Sequence, residues 1–256
     1  MSDDKETVHA LEARGIGKHF GSFWAVRDVD LKVRQGSIHA LIGPNGAGKT
    51  TCFNLLTKTL QPSTGQILLN GHDISRLRTS EVARRGMVRS FQISAIFPDM
   101  TVLENVRVAL QSNHGGAWRF WAPLSSIHGL NARAEALLDD VGLADARDLK
   151  AAELSYGKKR ALEIATTLAL DPQVMLLDEP TAGMGHEDIE PITALIRKVS
   201  RGRTILIVEH NLSVVSTLSD RITVLQAGQV LMEGTYAEVS ADERVIAAYM
   251  GGTEDA

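Results

Sequence analysis

The sequence predicts an α/β protein, with a mostly parallel sheet covered on both faces and a helical segment inserted into it. Three observations predict this. Short, nearly continuous apolar runs (Val174 to Leu177, Thr204 to Val208, Arg221 to Leu225 and Gln229 to Met232) have the character of strands buried on both sides. Helical stretches at His186 to Ser200 and Leu212 to Leu218 alternate with them, as crossovers between parallel strands require. Between Thr101 and about Leu170 the strand signals give way to apolar residues at helical spacing.

Taken in order, the first region runs from Leu11 to about Phe91. Val26 to Val33 alternates apolar and polar residues, Ser37 to Ile42 is an apolar run, and Gln66 to Leu69 leads into the turn Asn70-Gly71. A glycine-rich loop separates Ile42 from a helix that begins near Lys49 and carries Phe53, Leu55 and Leu56 on its apolar side. In the helical segment Val102, Val106 and Leu110 recur every four residues, Leu137 and Val141 do the same, and Leu162 to Leu170 has the composition of a buried helix. Ser112 to His128, with Gly115, Gly116 and Pro123, has no clear period and takes no assignment.

Composition narrows the function classes. The chain has 256 residues, and Lys+Arg 27 against Asp+Glu 31 gives a net charge of -4. It therefore lacks the overall positive field that drives binding to nucleic acid, and no nucleic-acid partner is expected. Its basic clusters, Arg84, Arg85 and Arg89, and Lys158, Lys159 and Arg160, read first as solvated faces and second as places to meet an anion. No apolar run approaches the roughly 20 residues of a bilayer span. The first residues, MSDDKETVHALEARG, lack the basic start and apolar stretch of an export signal. Cys52 is the single cysteine, which excludes an internal disulfide and a finger-type zinc site and suits a reducing compartment. A cytoplasmic chain is expected.

Gly43-Pro44-Asn45-Gly46-Ala47-Gly48-Lys49-Thr50 fits G-x-x-x-x-G-K-[ST] between an apolar strand and a helix. Glycines let backbone N–H groups close around phosphate oxygens, Lys49 reaches the β- and γ-phosphates, and the Thr50 hydroxyl meets Mg²⁺. Gly43, Asn45, Gly46, Gly48, Lys49, Thr50 and Thr51 are thus the candidate phosphate-binding set. Val174 to Leu177 runs into Asp178 and Glu179. An acid pair after a strand also fits a helix N-cap. Downstream of a phosphate loop it reads as Asp178 holding Mg²⁺ through water and Glu179 acting on the attacking water. Leu154-Ser155-Tyr156-Gly157-Lys158-Lys159-Arg160 precedes a long apolar helix; Ser155 serves as an N-cap, and the same helix start can present N–H groups to an anion.

The order of these elements resembles the ATP-binding cassette family from about Leu11 to Gly252. The resemblance implies a P-loop NTPase (RecA-like) core with an antiparallel β subdomain and an inserted α-helical subdomain. It also implies that Leu154 to Arg160 is the signature motif, whose Ser155 and Gly157 contact the γ-phosphate held by the opposite subunit. By the same resemblance Phe20 stacks on adenine, Gln92 senses Mg²⁺ and the γ-phosphate near the transporter contact, and His210 bonds the γ-phosphate. The signature departs from the common LSGGQ form, with Tyr156 and Lys158 in place of a glycine and a glutamine, and Gly185 stands where Asp or Asn is usual.

Ile96 to Val106, the longer insertion after it and Arg244 to Gly251 resemble one subgroup, the ATPases of uptake systems for branched-chain and other hydrophobic amino acids, urea or amides. That resemblance implies transmembrane permease subunits, a second ATPase subunit (the same or different) and, indirectly, an extracytoplasmic solute-binding protein, with the chain held on the inner face of the membrane through its permease. The expected division is a nucleotide-binding core at 1–92 and 171–235, a helical subdomain at 93–170, and a C-terminal helix and tail at 236–256. Export of lipopolysaccharide type uses the same motifs. Soluble cassettes in translation or repair usually carry two cassettes or long coiled-coil insertions, and a guanine-reading N-K-x-D motif is not found.

Overall fold

The structure is a computed structural model that describes residues 8–90, 96–113 and 124–250. The chain opens with an antiparallel hairpin, β1 (His9–Phe20) and β2 (Phe23–Arg34), then runs through β3 (Ile38–Ile42) and the glycine loop into helix α1 (Lys49–Leu56). A second antiparallel pair, β4 (Thr64–Leu69) and β5 (His72–Asp73), leads by way of α2 (Thr79–Arg84) to β6 (Met87–Ser90). Helices α3 (Val102–Asn113), α4 (Leu124–Asp140) and α5 (Tyr156–Leu168) follow. Strands and helices then alternate as β7 (Val174–Asp178), α6 (His186–Val199), β8 (Thr204–Val208), α7 (Leu212–Leu218) and β9 (Arg221–Gln226). The chain closes with β10 (Gln229–Gly234), α8 (Tyr236–Ala241) and α9 (Glu243–Met250).

Two sheets result. The main sheet has the order β10-β9-β3-β8-β7-β6, parallel from β9 to β6 with β10 antiparallel at the edge, and the other is antiparallel in the order β2-β1-β4-β5. Side chains of the main strands alternate between two cores. Ile38, Ala40, Ile42, Met175, Leu177, Ile205 and Ile207 pack with Val106, Leu138 and Leu162 of the helical segment. Leu41, Val174, Leu176, Leu206 and Val208 pack with Phe53 and Leu55 of α1 and with Leu11, Val29 and Ile67 of the antiparallel sheet. Strands apolar at every position are what such double coverage demands. Helix α1 therefore lies between the two sheets, where each fully buried Leu or Phe contributes about 1.5–3 kcal/mol.

Three strands, β1, β5 and β6, depart from the sequence reading. β1 lies upstream of the first strand read there, because Gly15 and Gly17 interrupt its alternation and its register with β2 shifts between Ala13 and Ile16 and again before Lys18. β6, only four residues long, is the edge strand beside β7. The final apolar helix stops at Leu168, two residues short of the expected end. Of the unassigned stretch, α3 reaches Asn113 and α4 begins at Leu124; the intervening residues lie outside those described.

Candidate functional site

Strand β3 sits between β9 and β8, so the loop after Ile42 opens at the carboxyl edge of the sheet. Gly43 has φ 153° and Gly48 φ 92°. A Cβ on Gly43 would lie 2.2 Å from the Leu225 carbonyl oxygen, and one on Gly48 2.6 Å from that of Ala25. Conformation and space both exclude side chains there. Helix α1 starts at Gly48 with no side-chain cap and no acid in its first turn, which leaves its first amides directed at an incoming anion. Lys49 Nζ donates to the carbonyl oxygens of Gly43 (2.7 Å) and Pro44 (2.9 Å), folding the ammonium over the loop. Burial pushes the Lys49 pKa down while the Glu179 carboxylate opposes the shift, so the two charges share one site. Asn45, Gly46 and Thr50 are exposed along this rim and Thr51 is half-buried.

Asp178 ends β7, level with Val208 of β8. Its Oδ2 accepts from Arg89 Nη2 at 2.7 Å, and Arg89 Nη1 also donates to Asn54 Oδ1 at 2.8 Å. Asn54 is one helical turn beyond Thr50, so Arg89 ties Asp178 to the face of α1 that carries the Thr50 hydroxyl. The reading of Arg89 as a solvated charge is corrected here, because its side chain is 10% exposed and lies over the Phe53 ring. Desolvation lowers its pKa, and the bond to Asp178 opposes that. Arg160 is likewise paired, with Glu163 at 2.9 Å.

Glu179 has φ 45°, a left-handed conformation for a residue with a side chain, and its N–H donates to the Val208 carbonyl at 2.9 Å. Its Oε1 stands 3.8 Å from His210 Nδ1, with both side chains open to solvent. Lys49, Asp178, Glu179 and His210 thus converge on one sheet edge. The residue before His210, Glu209, is fully buried and was not singled out in the sequence; an acid ending an apolar strand gives no sign that it turns inward.

Ser155 caps α5, its oxygen accepting from the Lys158 N–H at 3.5 Å, and remains exposed. Gly157 is buried, and a Cβ there would lie 2.6 Å from Asp188 Oδ1, so the close approach it permits inside this chain is to α6. Tyr156 donates to the Ala182 carbonyl at 3.0 Å, which ties the start of α5 to the segment after Glu179. No hydrogen bond or ion pair among the described residues joins Ser155 or Gly157 to the loop 43–50. Phe20 ends β1 with 53% of its surface exposed, beside Phe23 and Trp24, which the sequence reading did not single out. Ala25, one residue past Trp24, is the residue pressed against Gly48, which sets this aromatic hairpin beside the loop. At the other end of the chain, burial raises the pKa of Tyr249 on α9 and the nearby Gly43 backbone opposes it, although the buried hydroxyl makes no hydrogen bond among the described residues. Gln92 lies outside the described residues.

Among the described residues no group of three or more His, Cys, Asp or Glu side chains is placed to enclose a metal. The Thr50 hydroxyl and Asp178 carboxylate are hard oxygen donors of the kind Mg²⁺ takes together with phosphate oxygens and water.

The family model described as ABC transporter matches residues 26–182, which span the loop, the signature helix and the acid pair. The chain belongs to the ABC transporter family. It is a nucleotide-binding, ATP-hydrolysing cassette. A second model, described as branched-chain amino acid ATP-binding cassette transporter, matches residues 229–255. The high-affinity branched-chain amino acid transport ATP-binding protein BraF of Pseudomonas aeruginosa is 38% identical over 248 residues, covering 94% of this chain and 97% of that protein. LivG of Salmonella typhimurium, which bears the same description, is 38% identical over 249 residues with the same coverage. The crystal structure of the ADP conformation of an ATP-binding cassette of an ABC transporter superposes with TM-score 0.84 at 31% identity, covering 96% of this chain and all of that one.

Proposed function

We propose that this cassette hydrolyses MgATP to power an importer of branched-chain or other hydrophobic amino acids. The C-terminal match over residues 229–255 carries the substrate class, because the cassette motifs themselves serve transporters of every kind. In this reading the amides of Gly43, Asn45, Gly46 and Gly48 bind the phosphates, and Lys49 exchanges its two carbonyl partners for β- and γ-phosphate oxygens. Thr50 and Thr51 open α1 beneath them, and Phe20 stacks on adenine. Thr50 and Asp178 would hold Mg²⁺ and Gln92 would sense it, the ion supplying positive charge to offset what develops on the transferred phosphoryl group. Glu179 accepts the proton of the attacking water, and His210 beside it donates to the γ-phosphate.

Ser155 and Gly157 stand apart from their own loop, which supports their acting on nucleotide held by a second subunit packed head to tail. Residues 1–92 and 171–235 then act as the hydrolytic core, 93–170 as the lobe that moves with closure, and 236–256 as the C-terminal helix and tail. No helix among the described residues is long and apolar enough to cross a membrane. Permease subunits supply the crossing, hold the chain at the cytoplasmic face, and connect it to an extracytoplasmic solute-binding protein.

The test is reconstitution in proteoliposomes with the native permease and binding protein. Leucine, isoleucine or valine should stimulate ATP hydrolysis several-fold, and stimulation by urea or amides alone would exclude the substrate class. Glu179→Gln should bind MgATP, lose turnover by about 100-fold or more, and accumulate a closed dimer. Undiminished turnover would remove Glu179 from its role.

A further inference from the structure

Glu209 is 0% exposed, and no ion pair among the described residues reaches it. Its carboxylate is satisfied instead by donors from two different segments. Oε1 accepts from the Thr181 N–H at 3.1 Å and the Thr181 hydroxyl at 2.5 Å, while Oε2 accepts from the His210 N–H at 3.1 Å and the Asn211 N–H at 3.2 Å. Three of these partners are backbone N–H groups and the fourth is a hydroxyl, so both oxygens are held by the chain around them. Each oxygen grips one strand end. Thr181 lies two residues after Glu179, and His210 directly follows Glu209.

The backbone explains why such a grip is needed. Glu179 adopts φ 45°, a conformation that persists only where the surroundings over-determine it. On its near side the Glu179 N–H is fixed to the Val208 carbonyl; on its far side Thr181 is fixed by Glu209. The same carboxylate folds onto the two amides that begin with His210, and this sets the direction in which the imidazole leaves β8. A charge-assisted bond to a backbone N–H is roughly twice as strong as a neutral one, so a carboxylate locks both loops more firmly than an amide in its place.

We propose that Glu209 is a positioning residue for hydrolysis, a buried clamp that fixes the loop of Glu179 against that of His210 through one carboxylate. The proposal rests on the reading of Glu179 and His210 as the hydrolytic pair.

The experiment uses Glu209→Gln and Thr181→Val in the full chain, with and without its permease. For Glu209→Gln, kcat falls about 10- to 100-fold, the cost expected of a misplaced catalytic group, while KM for MgATP and nucleotide affinity change less than about threefold. In the nucleotide-free protein, amide hydrogen exchange at Thr181, His210 and Asn211 quickens about tenfold or more, and exchange along α1 does not. Combining Glu209→Gln with Glu179→Gln lowers turnover no further than Glu179→Gln alone. Should Glu209→Gln fail to fold, Thr181→Val removes only the hydroxyl of one arm and should still lower kcat and quicken exchange at Thr181. An unchanged kcat per folded molecule in Glu209→Gln, or in Thr181→Val where that is the variant that folds, overturns the proposal. If Glu179→Gln and His210→Ala keep full turnover, the hydrolytic pair fails and the proposal with it, whereas quickened exchange would still show the clamp as a purely structural one.

Discussion

His39 lies in the middle of β3 with 1% of its surface exposed, and its Nε2 is 2.8 Å from Thr223 Oγ1. The Thr223 hydroxyl donates onward to Glu233, so the imidazole is assigned as the Nε2–H tautomer, donating to Thr223. Burial pushes the His39 pKa down to about 4; Glu233 opposes the shift and Arg221 adds to it. The folded chain therefore keeps His39 neutral at pH values where an unfolded chain, with its pKa of 6.5, takes up a proton. The stability that follows is fully present above about pH 6.5 and declines as pH falls toward 4, by on the order of 3 kcal/mol. Denaturant titrations between pH 7 and 4 should show a shallower decline for His39→Gln than for the unmodified chain; equal slopes would contradict this account. Arg89 belongs to the same scale. Buried in an ion pair with Asp178, it is a charge whose loss would strand a carboxylate at the centre of the site.

At the scale of elements, α5 joins two roles at its first turn. Ser155 caps the helix, and the cap alone is worth about 1 kcal/mol. Ser155→Ala should therefore cost no more than that in thermal unfolding. Ser155→Arg, which fills the exposed helix start, should leave ATP binding to the isolated chain intact and abolish hydrolysis by the assembled pair; retained hydrolysis would contradict a site shared between subunits. The loop around Lys49 and the strand ending in Asp178 were legible because their chemistry is written in contiguous residues. Continuous apolar strands likewise declared a sheet covered on both faces. β1 was not legible, since Gly15 and Gly17 break its pattern and only pairing with β2 and β4 makes it a strand. Nor was Glu209, whose meaning depends on Thr181, 28 residues upstream. Arg89 failed for a similar reason, because its partners on α1 and β7 lie 35 residues before and 89 residues after it.

On the scale of the whole molecule, α1 packs in one core with both the antiparallel sheet and the main sheet, so whatever the loop before it binds bears on both layers. The proposed division of labour makes membrane recovery a test. The chain should sediment with membranes when its permease is co-expressed and stay in the supernatant otherwise, and equal sedimentation without a partner would count against this arrangement. Tyr249 carries a consequence for protein engineering. Its buried hydroxyl lies near the backbone of Gly43, so the segment that matches the branched-chain subgroup comes close to the loop 43–50. A chimera that grafts the tail of one cassette onto the core of another therefore sets an incoming Tyr249 against a resident Gly43, and a graft point before β10 at least carries β10, α8 and α9 across together.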